Sequence, residues 1–140
     1  MRGFSLVELI LVIALFTIIA LFAYPMSLAL FNTQILEESR NGVEVALRNA
    51  YTRSITEKND TSHGVKILEN SLVLFEGNSY DTREVSKDHV VALPETLIHA
   101  GFDEIIFEQF SGRPSATGTL RLQYAGEETL IYINEIGVIE

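Results

Sequence analysis

The sequence predicts an α+β protein in which one long N-terminal α-helix packs on a small antiparallel β-sheet head. Three observations lead to this fold class. No charged residue occurs from Leu9 through Leu36, apolar residues recur at helical spacing after Phe31, and short apolar runs alternate with turn residues from Val65 onward. A chain of 140 residues has room for one compact domain and an appendage.

The first element is the uncharged segment, which is long enough to cross a membrane as a helix. No small-residue cleavage site of the A-x-A kind follows it, so it does not have the pattern of a secretory signal that is removed. Arg2 precedes the segment, whereas the next basic residues are Arg40 and Arg48. This asymmetry predicts a cytoplasmic N-terminus and an exported C-terminal part.

The overall charge constrains the class of partner. The chain has 10 Lys and Arg against 19 Asp and Glu, a net charge of −9, which argues against a surface that neutralises nucleic-acid phosphates. The absence of cysteine excludes disulfides, thiolate metal sites and thiol catalysis. We expect no cofactor, no metal and no nucleic-acid partner.

Glu8 is unusual because a carboxylate at the edge of a membrane-spanning helix is costly. One explanation is local. Ser5 and Glu8 have the spacing of a capping box, in which Glu8 reaches back to the backbone N–H of Ser5. That explanation accounts for the spacing but leaves the acid beside lipid.

The N-terminal residues resemble a known signal. The short basic leader Met1-Arg2-Gly3, the following Phe4 and the acid at Glu8 are similar to the class III signal of type IV pilins and type II secretion pseudopilins. The resemblance implies cleavage by a prepilin peptidase between Gly3 and Phe4, and N-methylation of Phe4. It also implies that the apolar helix is kept and that Glu8 pairs with the Phe4 amine of a neighbouring subunit, a close pair that offsets part of the cost of two isolated charges.

The same resemblance implies the partners and the location of the protein. The partners would be other pilin or pseudopilin subunits, the prepilin peptidase and an inner-membrane assembly platform. The chain would be a single-pass protein of the inner membrane and, after assembly, part of a periplasmic or extracellular filament. Pro25 fits this interpretation, because many pilins have a proline at the corresponding place. It predicts a helix kink or local melting, although a tolerated transmembrane proline is an alternative.

An amphipathic stripe extends the helix beyond the apolar segment. Its residues, Val43, Ala46, Leu47, Ala50 and Tyr51, fall on one face of a helix, which predicts a helix from about Ser5 to about Thr56. The polar residues 57–64 then form a loop. The predicted domains are a leader at 1–3, a transmembrane and polymerisation half at 4–31, an amphipathic helix and loop at 32–63, and a β-rich head at 64–140.

The head is predicted to be mostly antiparallel, with a hairpin turn at Ala125–Glu128 and a last turn at Ile136–Val138 before a short terminal strand. Gly77–Asp88 is predicted as a loop or an edge strand. The predicted strands are Val65–Leu68, Leu72–Phe75, Val90–Leu93, Ile105–Phe107, Leu120–Tyr124 and Leu130–Ile133. The amphipathic half of the helix offers a matching apolar stripe to cover such a sheet.

The order of turn motifs in the head is similar to that of GspH/FimT-type minor pseudopilins. The segments that carry this second resemblance are Gly64-Val65, Leu74–Gly77, Ile106-Phe107, Phe110–Pro114, Gly118–Leu120 and Ile133–Val138. Major pseudopilins usually end in a calcium-binding loop around an Asp-Pro-Trp type segment, and this chain has no tryptophan. The resemblance therefore implies a minor subunit.

Catalytic chemistry is not indicated. His63, His89 and His99 are far apart without metal-type spacing and are predicted to be solvated or satisfied surface histidines. Asp103, Glu104 and Glu108 are predicted to form a solvated acidic face. We expect a non-enzymatic minor pseudopilin or pilin subunit. Two alternatives stay open: a minor pilin that binds DNA for uptake, and a signal-anchored exported domain that does not polymerise.

Overall fold

The computed structural model describes residues 5–56 and 61–140, with the backbone alone described at Pro25 and Met26. The described residues form one α-helix, seven β-strands and a short 3-10 helix, Val85–Lys87, between the second and third strands. The elements are α1 (Leu6–Ile55), β1 (His63–Ile67), β2 (Ser71–Glu76), β3 (His89–Ala92), β4 (Ile98–Ala100), β5 (Glu104–Phe107), β6 (Gly118–Tyr124) and β7 (Glu127–Ile133). This α+β architecture confirms the predicted fold class.

The chain divides into two compact units, the first ending at Gln34 and the second comprising Ile35–Glu140. Helix α1 contributes residues to both units. In the first unit, the described residues after Ser5 are helical, and nearly all of their described side chains are exposed. The second unit contains the last part of α1 and all the described strands.

The strands of the second unit form two sheets. One sheet has four strands in the order β3-β2-β1-β5, and the other has three in the order β4-β6-β7, with antiparallel pairing throughout both. The sequence predicted antiparallel strands but did not predict this division. Strand β6 pairs with β7 on one side and with β4 on the other. None of these three strands pairs with a strand of the four-stranded sheet, so they form a separate sheet.

One hydrophobic core joins the last part of α1 to both sheets. The helical stripe predicted from sequence is confirmed, since four of its five residues are buried and Tyr51 is partly buried, with its ring edge-on to Phe107 at a centroid distance of 5.8 Å. The sheet residues of the core include Val65, Leu72, Leu74, Ile105, Leu120, Leu122, Ile131 and Ile133. The burial of these sheet side chains against the apolar face of α1 is the main source of stability of the head.

Ser54 connects the end of α1 to the first sheet. Its buried hydroxyl donates a hydrogen bond to the Phe107 carbonyl oxygen (2.9 Å) and accepts one from the His63 N–H (3.1 Å). Its carbonyl oxygen accepts a hydrogen bond from the Phe110 N–H (3.1 Å). The last turn of the helix is thus fixed to β1, to β5 and to the loop after β5.

The C-terminal residues are also fixed to the helix and to β7. Ile139 forms a bridge with Ile133, and the Arg48 guanidinium donates a hydrogen bond to the Ile139 carbonyl oxygen (2.8 Å). The intervening turn is closed by the Asn134 side chain, whose Oδ1 accepts hydrogen bonds from two backbone N–H groups. The predicted terminal strand is therefore present as a single bridge.

One strand differs from the sequence-based expectation, and one open alternative is resolved. Strand β4 was not predicted, because its three residues give too short a pattern to recognise. The segment from Gly77 to Asp88, predicted as a loop or an edge strand, is a loop that contains turns and the 3-10 helix. Arg83 holds it in place by donating hydrogen bonds to Asp88 and by stacking 3.6 Å from the centre of the Tyr80 ring.

Candidate functional site: the apolar N-terminal segment

Helix α1 begins directly after Ser5. The Leu9 N–H donates a hydrogen bond to the Ser5 carbonyl oxygen at 3.2 Å, which is the first main-chain bond of the helix among the described residues. Glu8 lies in this first turn, where the helix dipole favours a negative charge. Its side chain is exposed, and within the described residues no hydrogen bond joins it to the backbone N–H of Ser5, the bond that a capping box would contain.

The surface of the first unit is almost entirely apolar. An apolar window within α1 is long enough to cross a membrane, and none of that window is buried inside the chain. Large side chains such as Phe16 and Phe22 expose 67% and 76% of their area. Soluble proteins rarely expose contiguous apolar surface on this scale, so the segment requires lipid or protein around it.

Two hydroxyl groups of the segment are satisfied within the helix. The Thr17 hydroxyl donates a hydrogen bond to the Ile13 carbonyl oxygen at 2.8 Å, and the Thr33 hydroxyl donates one to the Ala29 carbonyl oxygen at 3.1 Å. Such bonds to the preceding turn allow a hydroxyl to sit on a helix in hydrocarbon. Glu8 differs from these hydroxyls because it is the one charged residue between Arg2 and Glu37.

The structure describes some of the predicted site residues and not others. Gly3 and Phe4, the predicted cleavage and methylation positions, lie outside the described residues. Glu8 lies on the exposed surface of the first turn, and the bounds of α1 include the position of Pro25. Cleavage, methylation, the pairing role of Glu8 and the kink at Pro25 stay predictions.

The head contains a buried polar cluster that the sequence did not reveal. The prediction of a surface position for His63 was wrong, because its side chain has no solvent exposure. Its Nε2 lies 3.6 Å from the Glu76 carboxylate, which the Lys87 ammonium approaches to 3.1 Å. His63 and Glu76 are paired opposite each other on β1 and β2, so the cluster depends on strand register, which the sequence pattern alone did not fix.

Burial has the largest effect on the pKa of His63. Desolvation lowers the pKa of His63 below its usual value, Glu76 opposes that shift, and the positive charge of Arg53 lowers the pKa further. The other two histidines differ in exposure: His89 is exposed at the start of β3, and His99 is half-buried in β4.

The acidic residues near β5 are engaged in pairs. The Lys66 ammonium lies 2.8 Å from the Asp103 carboxylate and 3.5 Å from that of Glu104, and hydrogen bonding from Lys66 lowers the pKa of Asp103. Glu108 accepts a hydrogen bond from the Ser111 hydroxyl at 2.7 Å. Within residues 5–56 and 61–140, no group of three or more His, Cys, Asp or Glu residues has a geometry that could hold a metal ion.

Comparison with known proteins identifies the N-terminal segment. A family model described as the prokaryotic N-terminal methylation motif matches residues 1–24. No curated protein and no solved structure matches the chain. The match indicates that the N-terminal segment is a type IV pilin-like prepilin motif, and together with the exposed apolar helix it suggests a membrane-anchored protein.

Proposed function

We propose that this chain is a minor pseudopilin or pilin subunit, which inserts in the inner membrane and then assembles through its N-terminal helix into a type II secretion pseudopilus or a type IV pilus-like filament. The observation that carries the proposal is the coincidence of the methylation motif at residues 1–24 with a helix whose apolar surface is unburied within the chain. The prepilin peptidase, an inner-membrane assembly platform and other pilin subunits are the proposed partners.

The apolar surface gives a physical basis for both states of the subunit. In the membrane, lipid covers the side chains of the first unit. In a filament, the helices of neighbouring subunits cover the same side chains. Because both surroundings are apolar, the transfer changes the burial of apolar area little. An assembly motor can therefore drive it without first paying a large desolvation cost.

The exported position of the head follows from the charge asymmetry around the apolar segment. The minor role rests on the similarity of the head's turn motifs to GspH/FimT-type pseudopilins. DNA capture is the less favoured function, because the described basic residues of the head are largely paired with carboxylates. Phosphate contacts require basic side chains that are free to make them.

The proposal is tested by fractionating cells that produce the full chain together with a prepilin peptidase and an assembly system. We expect the chain in the membrane fraction and also in sheared or high-mass assemblies. Removal of the peptidase should confine it to the membrane fraction. A chain that stays in the membrane fraction with the peptidase and assembly system present would instead be a signal-anchored exported domain.

A further inference from the structure

The two sheets have four outer edges, and the chain itself covers two of them. The loop after β5 lies along the outer edge of β5, where the Ser115 N–H donates a hydrogen bond to the Ile106 carbonyl oxygen (2.7 Å). The C-terminus lies along the outer edge of β7, where Tyr132 and Glu140 exchange two main-chain hydrogen bonds (2.8 and 2.9 Å). Among the described residues, no strand or bridge covers the outer edges of β3 and β4. An uncovered edge is a template for pairing with another segment of chain.

The longer of these two open edges, that of β3, has outward main-chain groups at Val90 and Ala92. The Leu93 N–H, directly after the strand, donates a hydrogen bond to the Asn70 carbonyl oxygen on the β2 side (3.0 Å). Main-chain groups alternate in direction along an antiparallel strand, so those of Val91 also face β2. Those of Val90 and Ala92 face away from β2, where the described chain provides no hydrogen-bond partner.

A groove of about 490 Å³ lies beside this edge, between the end of β3 and α1. We call it the β3 groove, and its lining includes Ile35, Glu38 and Gly42 of α1 and Val91 and Leu93 on the strand side. Gly42 leaves the groove open, because no other atom lies within 4 Å of the place where its Cβ would be. Successive side chains of a strand point to opposite faces of the sheet. A strand added to β3 would therefore direct every second side chain into the β3 groove.

The charge at the β3 groove has one sign. Glu38 is the one charged side chain in its lining, and this exposed carboxylate forms no ion pair among the described residues. Glu95, also exposed, directly follows Pro94, another lining residue. Arg40, the nearest basic residue along α1, is outside the lining and is paired with Glu44 (3.6 Å). A basic side chain of a ligand would thus find a carboxylate that no cation of the groove already neutralises.

We propose that the β3 groove binds an extended segment of a partner protein by strand addition to β3. The segment has apolar side chains at alternate positions and a Lys or Arg side chain opposite Glu38. Each part of this description follows from one feature of the site. The outward main-chain groups of Val90 and Ala92 require an extended backbone, the groove accepts every second side chain, and the carboxylate selects a basic residue.

The inference goes beyond the proposed function. All the residues that form the edge and the groove belong to the second compact unit, so binding does not require the chain to assemble. It adds a ligand class, an extended basic and apolar polypeptide segment, to a subunit that is otherwise proposed to act through its N-terminal helix. Nucleic acid and anionic lipid do not fit this site, because their phosphates would meet Glu38.

Peptide binding to the full chain in phosphatidylcholine nanodiscs tests the inference, with fluorescence anisotropy as the measurement and empty nanodiscs as the blank. The probe is a short fluorescein-labelled peptide in which valine and threonine alternate and one end carries a lysine. Two further peptides carry N-methyl groups on one or the other alternate set of amides. The set that faces β3 should lose binding about tenfold when it is methylated, because main-chain hydrogen bonds are removed, and the other set should not. Equal binding of the two methylated peptides, or no binding of the unmethylated probe, would overturn strand addition.

Two substitutions in the chain test the edge and the groove separately. Ala92→Pro removes an outward N–H without removing a bond to β2, a position that an edge strand tolerates, and should weaken peptide binding about tenfold. Ala92→Ser keeps that N–H and should bind as the wild type does. Gly42→Leu fills the groove and should also weaken binding about tenfold, whereas Asn41→Leu, at an exposed position outside the lining, should not. Wild-type binding by both Ala92→Pro and Gly42→Leu would overturn the inference.

Charge reversal tests the role of Glu38. The wild-type chain should prefer the lysine peptide to a matched peptide with glutamate at that position, and Glu38→Lys should reverse the preference, because like charges placed opposite each other oppose docking. Glu127→Lys, at an exposed position on β7, is the control and should leave the preference unchanged. An unchanged preference in Glu38→Lys would contradict recognition of a basic side chain. If no peptide binds and two copies of the chain instead associate in a way that Gly42→Leu abolishes, the inference is wrong and the occupant is a second copy.

Discussion

The carboxylate of Glu8 stands at the start of an uncharged apolar segment, and the structure places it on the exposed surface of the first helical turn. In lipid or in a filament core, this charge is costly without a partner. The proposed partner is the Phe4 amine of a neighbouring subunit. The alternative, a purely local capping role with Ser5, concerns only the stability of the helix end.

Glu8→Ala separates these two roles. We expect membrane insertion to be intact or improved, because a charge is removed from the apolar segment. Assembly should fall about tenfold or more, because the neighbour's buried amine loses its counter-charge. The measurement is the ratio of assembled to membrane-bound chain. Ser5→Ala is the control for capping and should cost only about 1 kcal/mol of helix stability. Assembly of Glu8→Ala at the wild-type level would contradict the pairing role.

His63 makes the stability of the head depend on pH. Its pKa is lowered in the folded state by burial, whereas in the unfolded chain it has an ordinary value near 6.5. Between the two pKa values the unfolded state binds more protons, so the free energy of unfolding falls as the pH falls through this window. We expect the melting temperature of a fragment from Leu30 onward to drop below about pH 6.5.

Two substitutions test this assignment to His63. His63→Gln removes the titrating group and should flatten the pH dependence in that window, even if it lowers the melting temperature at every pH. His89→Gln, at an exposed position, should leave the dependence unchanged. A pH dependence that survives His63→Gln would assign the effect to another group.

At the scale of elements, the amphipathic half of α1 holds both sheets together. Leu47 is fully buried in the shared core, whereas Val45, two residues earlier, is 57% exposed. Leu47→Ala should therefore cost about 2–5 kcal/mol of unfolding free energy, and Val45→Ala should change it by no more than about 0.5 kcal/mol. Chemical denaturation of the fragment from Leu30 measures both. Similar losses from the two variants would contradict the packing of this helix face.

The same elements show what the sequence can predict. Helix α1 follows from a long apolar run that continues into a stripe at 3.6-residue spacing, and its observed ends, Leu6–Ile55, lie within a residue of those predicted. Six of the seven strands were recognised from alternating or continuous apolar runs. Strand β4 was not, because its three residues offer no period and two of them face solvent.

Features that depend on tertiary contact were beyond the sequence pattern. The division into two sheets depends on which strand edges meet. The burial of His63 depends on its register with Glu76, and the positive φ of Phe110 occurs where its N–H donates a hydrogen bond to the Ser54 carbonyl oxygen. For the candidate site, the N-terminal motif was readable because its residue types and spacing are contiguous in sequence. The cluster of His63, Glu76 and Lys87 was not, because it combines three separate segments.

At the scale of the whole molecule, charge decides between filament subunit and DNA receptor. The net charge of the chain is −9. Among the described Lys and Arg residues, Arg53 and Arg113 have no carboxylate nearby, and two arginines can make too few phosphate contacts for strong binding. We expect no measurable binding of the fragment from Leu30 to duplex DNA near physiological salt. Fluorescence anisotropy showing micromolar affinity that weakens steeply with salt and is lost in Arg113→Ala would make DNA capture the leading function.

The central claim is that this chain is a prepilin whose apolar helix is retained after processing. Intact-mass analysis of the full chain, isolated from cells with a functional prepilin peptidase, tests it most directly. The account predicts one mass, that of residues 4–140 with a single added methyl group on the new N-terminal Phe4. A chain that still begins at Met1 under these conditions would contradict the claim and would identify the helix as a plain signal anchor.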